Sequence, residues 1–263
     1  MTSLPFDRYC DEIVTQTERL TAHVRGTDMT APVRSCPGWN LGQLLRHVGG
    51  DHRWAEEIVR TRAGGPIPDE LVNDPTAYTH EDESFLVPWL LEGAAGLSAT
   101  LRAAGPDAQA WNPSEEQPAP VGFWARRMTY ETVVHRADAA LAAGTRFALE
   151  RDLAVDAVEE WLEYSTFPEA FEPRPDLPDL LGPDRTLHFD ATDAGQWLVD
   201  LTGKHPLWRA GADNATVTAS GPATDLLLFL YRRPAPALQT QGDTELLDLW
   251  LTRSGFWLEA TGE

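Results

Sequence analysis

Cysteine is scarce in this 263-residue chain, with only Cys10 and Cys36 present. Two scattered thiols are too few for a disulfide framework or a cysteine-rich zinc site, and they fit a reducing cytoplasm. Basic residues are also few: 21 Lys and Arg stand against 41 Asp and Glu, for a formal net charge of -20. A surface with that balance repels phosphate backbones and anionic lipid, which argues against nucleic-acid and membrane partners. An anionic substrate would need local arginines to overcome the overall field. No run approaches the roughly 18 consecutive apolar residues of a membrane-spanning helix. The N-terminal stretch lacks a basic start followed by an apolar segment, so no signal peptide is expected. What the chain does have is core-forming material: 42% of its residues are hydrophobic. That is enough for one large or two modest domains, and for a monomer or weak oligomer.

The first half reads as helices. Ile13, Leu20 and Val24 recur at helical spacing between Pro5 and Val24, with Phe6 and Tyr9 ahead of them. After a loop containing Ser35-Cys36-Pro37-Gly38-Trp39, Asn40 is placed to cap a second helix. Gln43 supplies the other half of a capping box, and the helix ends near Arg62 before Gly64-Gly65-Pro66. A third helix is predicted over Glu83 to Ala104, with Pro88 in its first turns. A proline-rich loop from Asn112 to Pro120 precedes a fourth, Val121 to Ala143, with Gly144 as its terminating glycine. The expected fold class is an N-terminal all-α four-helix bundle, residues 1–165, followed by a small C-terminal α+β domain, residues 166–263. Arg151 to Tyr164 is assigned to the first part as a further helix. Phe167 to Pro183 reads as a linker. Strands are expected at Thr186 to Asp190, Gln196 to Leu201 and Ala215 to Ala219, and helices at Ala223 to Arg232 and Thr244 to Ser254.

The fourth helix carries an unusual stripe. Stepping from Trp124 by alternate fours and threes meets Met128, Glu131, His135, Asp138 and Ala142. Its ends are apolar and its middle is ionisable, with Val134 and Leu141 expected to keep it on the buried side. Unpaired burial of such groups costs several kcal/mol per ion, so compensation is required. Ion pairs with Arg127 and Arg136 are one solution. A metal ion is another, because Glu131 and His135 leave the same helix face one turn apart. A third ligand would come from another helix, and His47, beside Leu44, Asp51, Trp54 and Ile58, is the candidate. The plainer reading of His47 is a satisfied core histidine. His52 points away from His47 and is a candidate for contact with a ligand at a pocket mouth. His23, His80, His188 and His205 read as surface residues.

The run from Cys36 through Trp39 and His47 to Gly50 resembles the signature of the mycothiol-dependent maleylpyruvate isomerase family, within the DinB-like superfamily of metal-binding bundles. Glu131-Thr132-Val133-Val134-His135-Arg136-Ala137-Asp138 is similar to a second motif of the same family. Phe189 to Asp193 and Gly221 to Leu230 resemble its C-terminal domain. The resemblance implies a divalent metal, zinc or another first-row ion, held by His47, Glu131 and His135. It also implies Asp138 as an acid near the metal, and an arginine from the C-terminal domain, Arg233 or its neighbour Arg232, that binds the substrate or thiol cofactor. The cofactor it implies is mycothiol, and the reaction a cis–trans isomerisation by thiolate addition to an activated double bond, rotation and elimination. On that reading the chain need not supply the nucleophile, and Cys36 is structural.

Two other functions fit the residues. A thiol-S-transferase for detoxification or biosynthesis would use the same metal and thiol. A non-enzymatic binding protein would use the aromatics Trp197, Trp208, Phe229, Trp250, Phe256 and Trp257 to line a cavity, although a packed core is their plainer role. A di-metal carboxylate bundle lacks the second Glu-x-x-His pair that it needs.

Overall fold

The structure, a computed structural model, describes residues 4–68, 82–114 and 117–256. It forms two compact units, residues 4–147 and residues 148 onward, described separately below. The division falls before the helix Arg151 to Tyr164 rather than after it. That helix packs on a helix of the second unit, so its amphipathic face serves the C-terminal core. Sequence periodicity shows that a face is buried but not which neighbour buries it.

The first unit is the expected bundle of four helices: α1 (Phe6–Val24), α2 (Leu41–Thr61), α3 (Glu83–Ala104) and α4 (Gly122–Ala142). α1 packs on α3 and α4, and α2 packs on the same two. The Asn40 side chain accepts the Gln43 N–H at 2.8 Å, and the Gln43 side chain accepts the Asn40 N–H at 2.9 Å, completing the capping box. Gly144 follows α4 with φ 67°, a left-handed conformation that ends the helix. A two-residue antiparallel pair, β1 (Gln109–Ala110) with β2 (Ala119–Pro120), brackets the proline-rich loop. α3 is long and apolar enough, by length and composition, to cross a membrane. Here Leu86, Leu90, Leu97 and Leu101 of that helix are buried among its neighbours in the bundle.

α2 and α3 meet at a glycine. The Arg53 guanidinium lies 4.1 Å from the centre of the Trp89 ring and donates to the Gly49 and Trp89 carbonyls at 3.0 and 2.8 Å. The ring then covers Gly49 so closely that a Cβ there would overlap it.

In the second unit α5 (Arg151–Tyr164) is followed by a one-turn helix α6 (Pro168–Phe171), inside the segment read as linker. Then come β3 (Thr186–Ala191), β4 (Gln196–Asp200), β5 (Leu207–Ala210), β6 (Val217–Gly221), α7 (Ala223–Leu230), β7 (Gln239–Gly242) and α8 (Thr244–Ser254). The sheet order is β5-β4-β3-β6-β7, with β3 and β6 parallel and every other pair antiparallel. Leu187, Phe189 and Ala191 register with Val217, Ala219 and Gly221 and form the buried side of the central strands. α7 and α8 pack against the sheet, and α5 packs on α7. The strands β5 and β7 have no counterpart in the sequence reading. Both are edge strands, and β7, Gln-Thr-Gln-Gly, is exposed throughout, so neither alternates apolar with polar residues. α7 ends at Leu230, short of Arg232, which adopts φ 59°. Trp197 and Trp250 are buried, and the Trp250 ring lies 5.1 Å from Phe189, so these aromatics build the core of the unit. Trp257 lies outside the described residues, as does His80.

The closeness of α2 to α3 gives a stability test. Gly49→Val should lower unfolding free energy by about 1–3 kcal/mol, the usual cost of forcing extra carbon into a packed interface. Gly64→Ala, with open space around it, should change it by less than about 0.5 kcal/mol. Urea denaturation of the two variants against the parent checks both.

Candidate metal centre

The site is built from α2, α4 and the loop before α2. The polar stripe of α4 faces inward as the sequence implies: Trp124, Met128 and Asp138 are all buried, and Glu131 is nearly so. One flank differs. Val134 is buried, but Leu141 is 45% exposed: it lies on the outer side of the last turn, whose Ala139 and Ala140 are buried.

Glu131 lies at the centre. Its Oε1 lies 2.9 Å from His135 Nε2 and 3.4 Å from His47 Nε2, while its Oε2 accepts from Arg127 Nη2 at 2.8 Å. The two imidazole rings meet edge to face, 4.8 Å between centres, and Trp39 packs over both, 4.8 Å from His47 and 6.2 Å from His135. One donor atom from each of His47, Glu131 and His135 falls within 4.8 Å of the others. Donors around a tetrahedral ion with bonds of about 2.1 Å lie about 3.4 Å apart. The three side chains therefore need only small shifts to share one cation.

One of the histidines is aimed by further groups. Asp138 Oδ2 lies 2.9 Å from His135 Nδ1. With the ring proton on that side, the neutral imidazole turns the bare Nε2 toward Glu131, the tautomer that a metal requires. Cys36 Sγ donates to the same Asp138 oxygen at 3.4 Å. Asp51 Oδ2 lies 3.3 Å from His47 Nε2. The sequence reading missed the contacts of Asp51, Cys36 and Trp39. One signal was available: Asp51 follows His47 by the same four-residue step that joins Glu131 to His135. The Cys36 and Trp39 contacts depend on how the loop folds back, which spacing does not encode.

Electrostatics reflect the crowding. Burial works to discharge His135, but hydrogen bonds with Asp138, Cys36 and Glu131 outweigh it and hold the imidazole well above its ordinary value. Burial opposes ionisation of Glu131 too, yet the hydrogen bonds from His135 and His47, with the charge of Arg127, hold its carboxyl well below the usual range. Burial pushes Asp51 up to about 6.

His52 is not at a pocket mouth. It is 1% exposed, and its Nε2 lies 2.8 Å from Thr132 Oγ1. That hydroxyl donates its own proton to the Met128 carbonyl, so His52 must be the donor and carries its proton on Nε2. Burial pushes its pKa down to about 3, so the ring is neutral and ties α2 to α4. Arg232 and Arg233 belong to the second unit, where Arg232 Nη2 donates to the Leu251 carbonyl at 3.1 Å and Arg233 Nη1 to the Tyr231 carbonyl at 2.7 Å. Of the remaining histidines, His205 is exposed, His23 is half-buried with its Nδ1 2.7 Å from Thr145 Oγ1, and His188 is half-buried in β3.

Two outcomes follow for metal binding. A cation at Nε2 must displace the proton that metal-free His135 retains to well above pH 6.5, so affinity should fall as pH falls through that raised value. The loss should be about tenfold per pH unit for each proton displaced, as read by titration against a competing chelator. Asp138→Asn should weaken the metal by about 10- to 100-fold at constant pH, and equilibrium dialysis checks it.

Comparison with known proteins places the chain. Residues 10–140 match the mycothiol maleylpyruvate isomerase N-terminal domain, and residues 152–249 match the C-terminal domain of the same family. The second match begins at α5, in agreement with the division into compact units. A crystal structure of the mycothiol-dependent maleylpyruvate isomerase superposes with a TM-score of 0.66 at 16% identity, covering 92% of this chain and 96% of that one. A histidine-to-alanine variant of that enzyme gives 0.65 at 15% identity with the same coverage. A search of curated protein sequences gave no significant match. At these identities the superpositions show the shared fold, and the two domain matches, which together span most of the chain, identify it as a member of the mycothiol-dependent maleylpyruvate isomerase family.

Proposed function

We propose that this protein is a metal-dependent enzyme that uses mycothiol as its thiol cofactor to isomerise maleylpyruvate or a closely related cis dicarboxylate. The observation that carries the reading is the convergence of His47 Nε2, His135 Nε2 and Glu131 Oε1 on one space in the bundle. Two imidazoles and a carboxylate suit Zn²⁺ and neighbouring first-row ions, and three protein ligands leave a position open for chemistry. When bound, such an ion supplies that open position and makes a thiol that occupies it more acidic.

The chain's own residues prepare the place. Arg127 fixes Glu131 by one oxygen and leaves the other facing the histidines. Asp138 sets the tautomer and rotation of His135. Trp39 covers the imidazole rings and limits water on that side. The chain's thiols are poor candidates for the nucleophile. Cys10 is fully buried and burial pushes its thiol up to about 11, while the Cys36 thiol is engaged with Asp138. An external thiol therefore fits the site better than either cysteine. Both cysteines are free, which suits the reducing cytoplasm in which we place the protein.

The test combines metal and turnover. Purified protein should carry close to one equivalent of a divalent ion and convert maleylpyruvate to fumarylpyruvate only when mycothiol is present. His135→Ala should lose the ion and fall to background rate. An unchanged metal content in His135→Ala would end the ligand assignment. A metal-loaded parent that yields a stable thiol adduct instead of the trans isomer would identify a thiol transferase.

A further inference from the structure

His135 presents its two ring nitrogens to two separate sets of donors. Nε2 faces Glu131 Oε1 at 2.9 Å, and Nδ1 faces Asp138 Oδ2 at 2.9 Å. Beyond Asp138 lies Cys36, with Sγ 3.4 Å from that same oxygen. One donor atom from each of Cys36, His135 and Asp138 lies within 4.8 Å of the others, a second group with the compactness of the first. We propose that Cys36 Sγ, Asp138 Oδ2 and His135 Nδ1 form a second cation site for a thiophilic divalent ion such as Cd²⁺ or Zn²⁺, with the His135 ring bridging it to the first. The proposal rests on the metal centre described above for that first ion.

Four features make this more than a cysteine near a histidine. The donor set is mixed: a sulfur, an imidazole nitrogen and a carboxylate oxygen, of which the sulfur favours the softer divalent ions. Zinc-type bonds of about 2.3 Å to sulfur and 2.0–2.2 Å to nitrogen and oxygen set donors roughly 3.3–3.6 Å apart. The Asp138 distances to Nδ1 and to Sγ, 2.9 and 3.4 Å, are close to that range before any ion arrives. The donors are also held. Asp138 sits one turn after His135 on α4 and is fully buried. The loop around Cys36 is closed by backbone hydrogen bonds from Cys36 N to Val33 O, from Trp39 N to Cys36 O and from Val33 N to Trp39 O, at 3.0, 3.1 and 2.9 Å. Finally, Cys36 is half-buried and gives an ion a way in, whereas His135 and Asp138 are covered.

The proton count is definite. With the first ion on Nε2, the ring keeps its proton on Nδ1, donated to Asp138. A second ion replaces that proton and the Cys36 thiol proton, and both leave to solvent. The ion then faces a thiolate, a carboxylate and a shared imidazolate.

The experiment starts from protein loaded with one equivalent of Co²⁺, whose visible absorption reports the first site, and adds Cd²⁺. The expected result is a second equivalent bound, an ultraviolet thiolate-to-cadmium charge-transfer band, and Co²⁺ retained. Cys36→Ser should lose the second equivalent and the band while keeping Co²⁺. Cys10→Ser should keep all three signals. Binding of no second equivalent, release of Co²⁺ as Cd²⁺ enters, or a band that persists in Cys36→Ser would each overturn the proposal. Protein that takes Co²⁺ but no Cd²⁺ overturns this inference alone. Protein that takes no Co²⁺ overturns the metal-centre reading as well.

Discussion

The first unit is organised around one nearly buried negative charge. Glu131 sits inside a bundle where an unpaired carboxylate would cost several kcal/mol even after relaxation. Arg127 meets one of its oxygens and two imidazoles meet the other. Each compensating group creates a further requirement. His135 must itself be oriented, which Asp138 does from one turn away, and Asp138 in turn holds the Cys36 thiol. His47 brings Asp51 with it. The chain of demands ends at the edge of the bundle, where Cys36 and Trp39 are only partly covered. A protein built solely for stability would fill this space with leucine, which is often the more stable choice. Retaining the charges is the mark of a site.

α4 carries most of this because it is covered nearly all round. Arg127, Thr129, Thr132, His135, Arg136 and Asp138 are all buried along it. Thr129 and Thr132 donate to carbonyls four residues back, and the Thr129 hydroxyl also reaches the Tyr9 carbonyl of α1 at 3.1 Å. Thr132 then still has a lone pair for His52, so a neutral histidine stitches α2 to α4 just beside the residues that hold charge. The Arg136 guanidinium lies 4.4 Å from the centre of the Phe147 ring. The sequence alone allows two compensations, arginine or metal. The structure shows that one arginine, Arg127, reaches Glu131, and that it occupies the oxygen facing away from the histidines.

The sequence made much of this legible because helices write their buried face in a local code. The step from Glu131 to His135 and Asp138 is read directly from the helical repeat, and the Asn40–Gln43 capping box is a spacing of three. What lay outside the code is nonlocal. The partnership of Cys36 with Asp138 joins residues 102 positions apart. His52 was placed by its angle from His47 alone, and that angle turned it into the α2–α4 interface rather than toward a ligand. The membership of α5 was hidden because an amphipathic face does not name its neighbour. β7 was hidden because an edge strand with both faces in water needs no apolar residue to exist. Helix position made His47 the candidate for the third ligand, and the family likeness agreed with it.

α8 carries residues that hold together elements distant in sequence. Arg253, fully buried in α8, donates to the backbone carbonyls of Ala170 and Glu172 at the α6 turn, and Trp250 packs on Phe189 of the central strand. During vectorial synthesis the α6 turn and the sheet thus emerge well before the residues that close over them. Until α8 is made, Phe189 and the α6 turn lack the cover that Trp250 and Arg253 give them, while α7 already packs on β3 and β6. The bundle, whose helices all lie upstream, has no such dependence. Nascent chains stalled shortly before α8 are accordingly the ones in which chaperone engagement would concentrate on the C-terminal half.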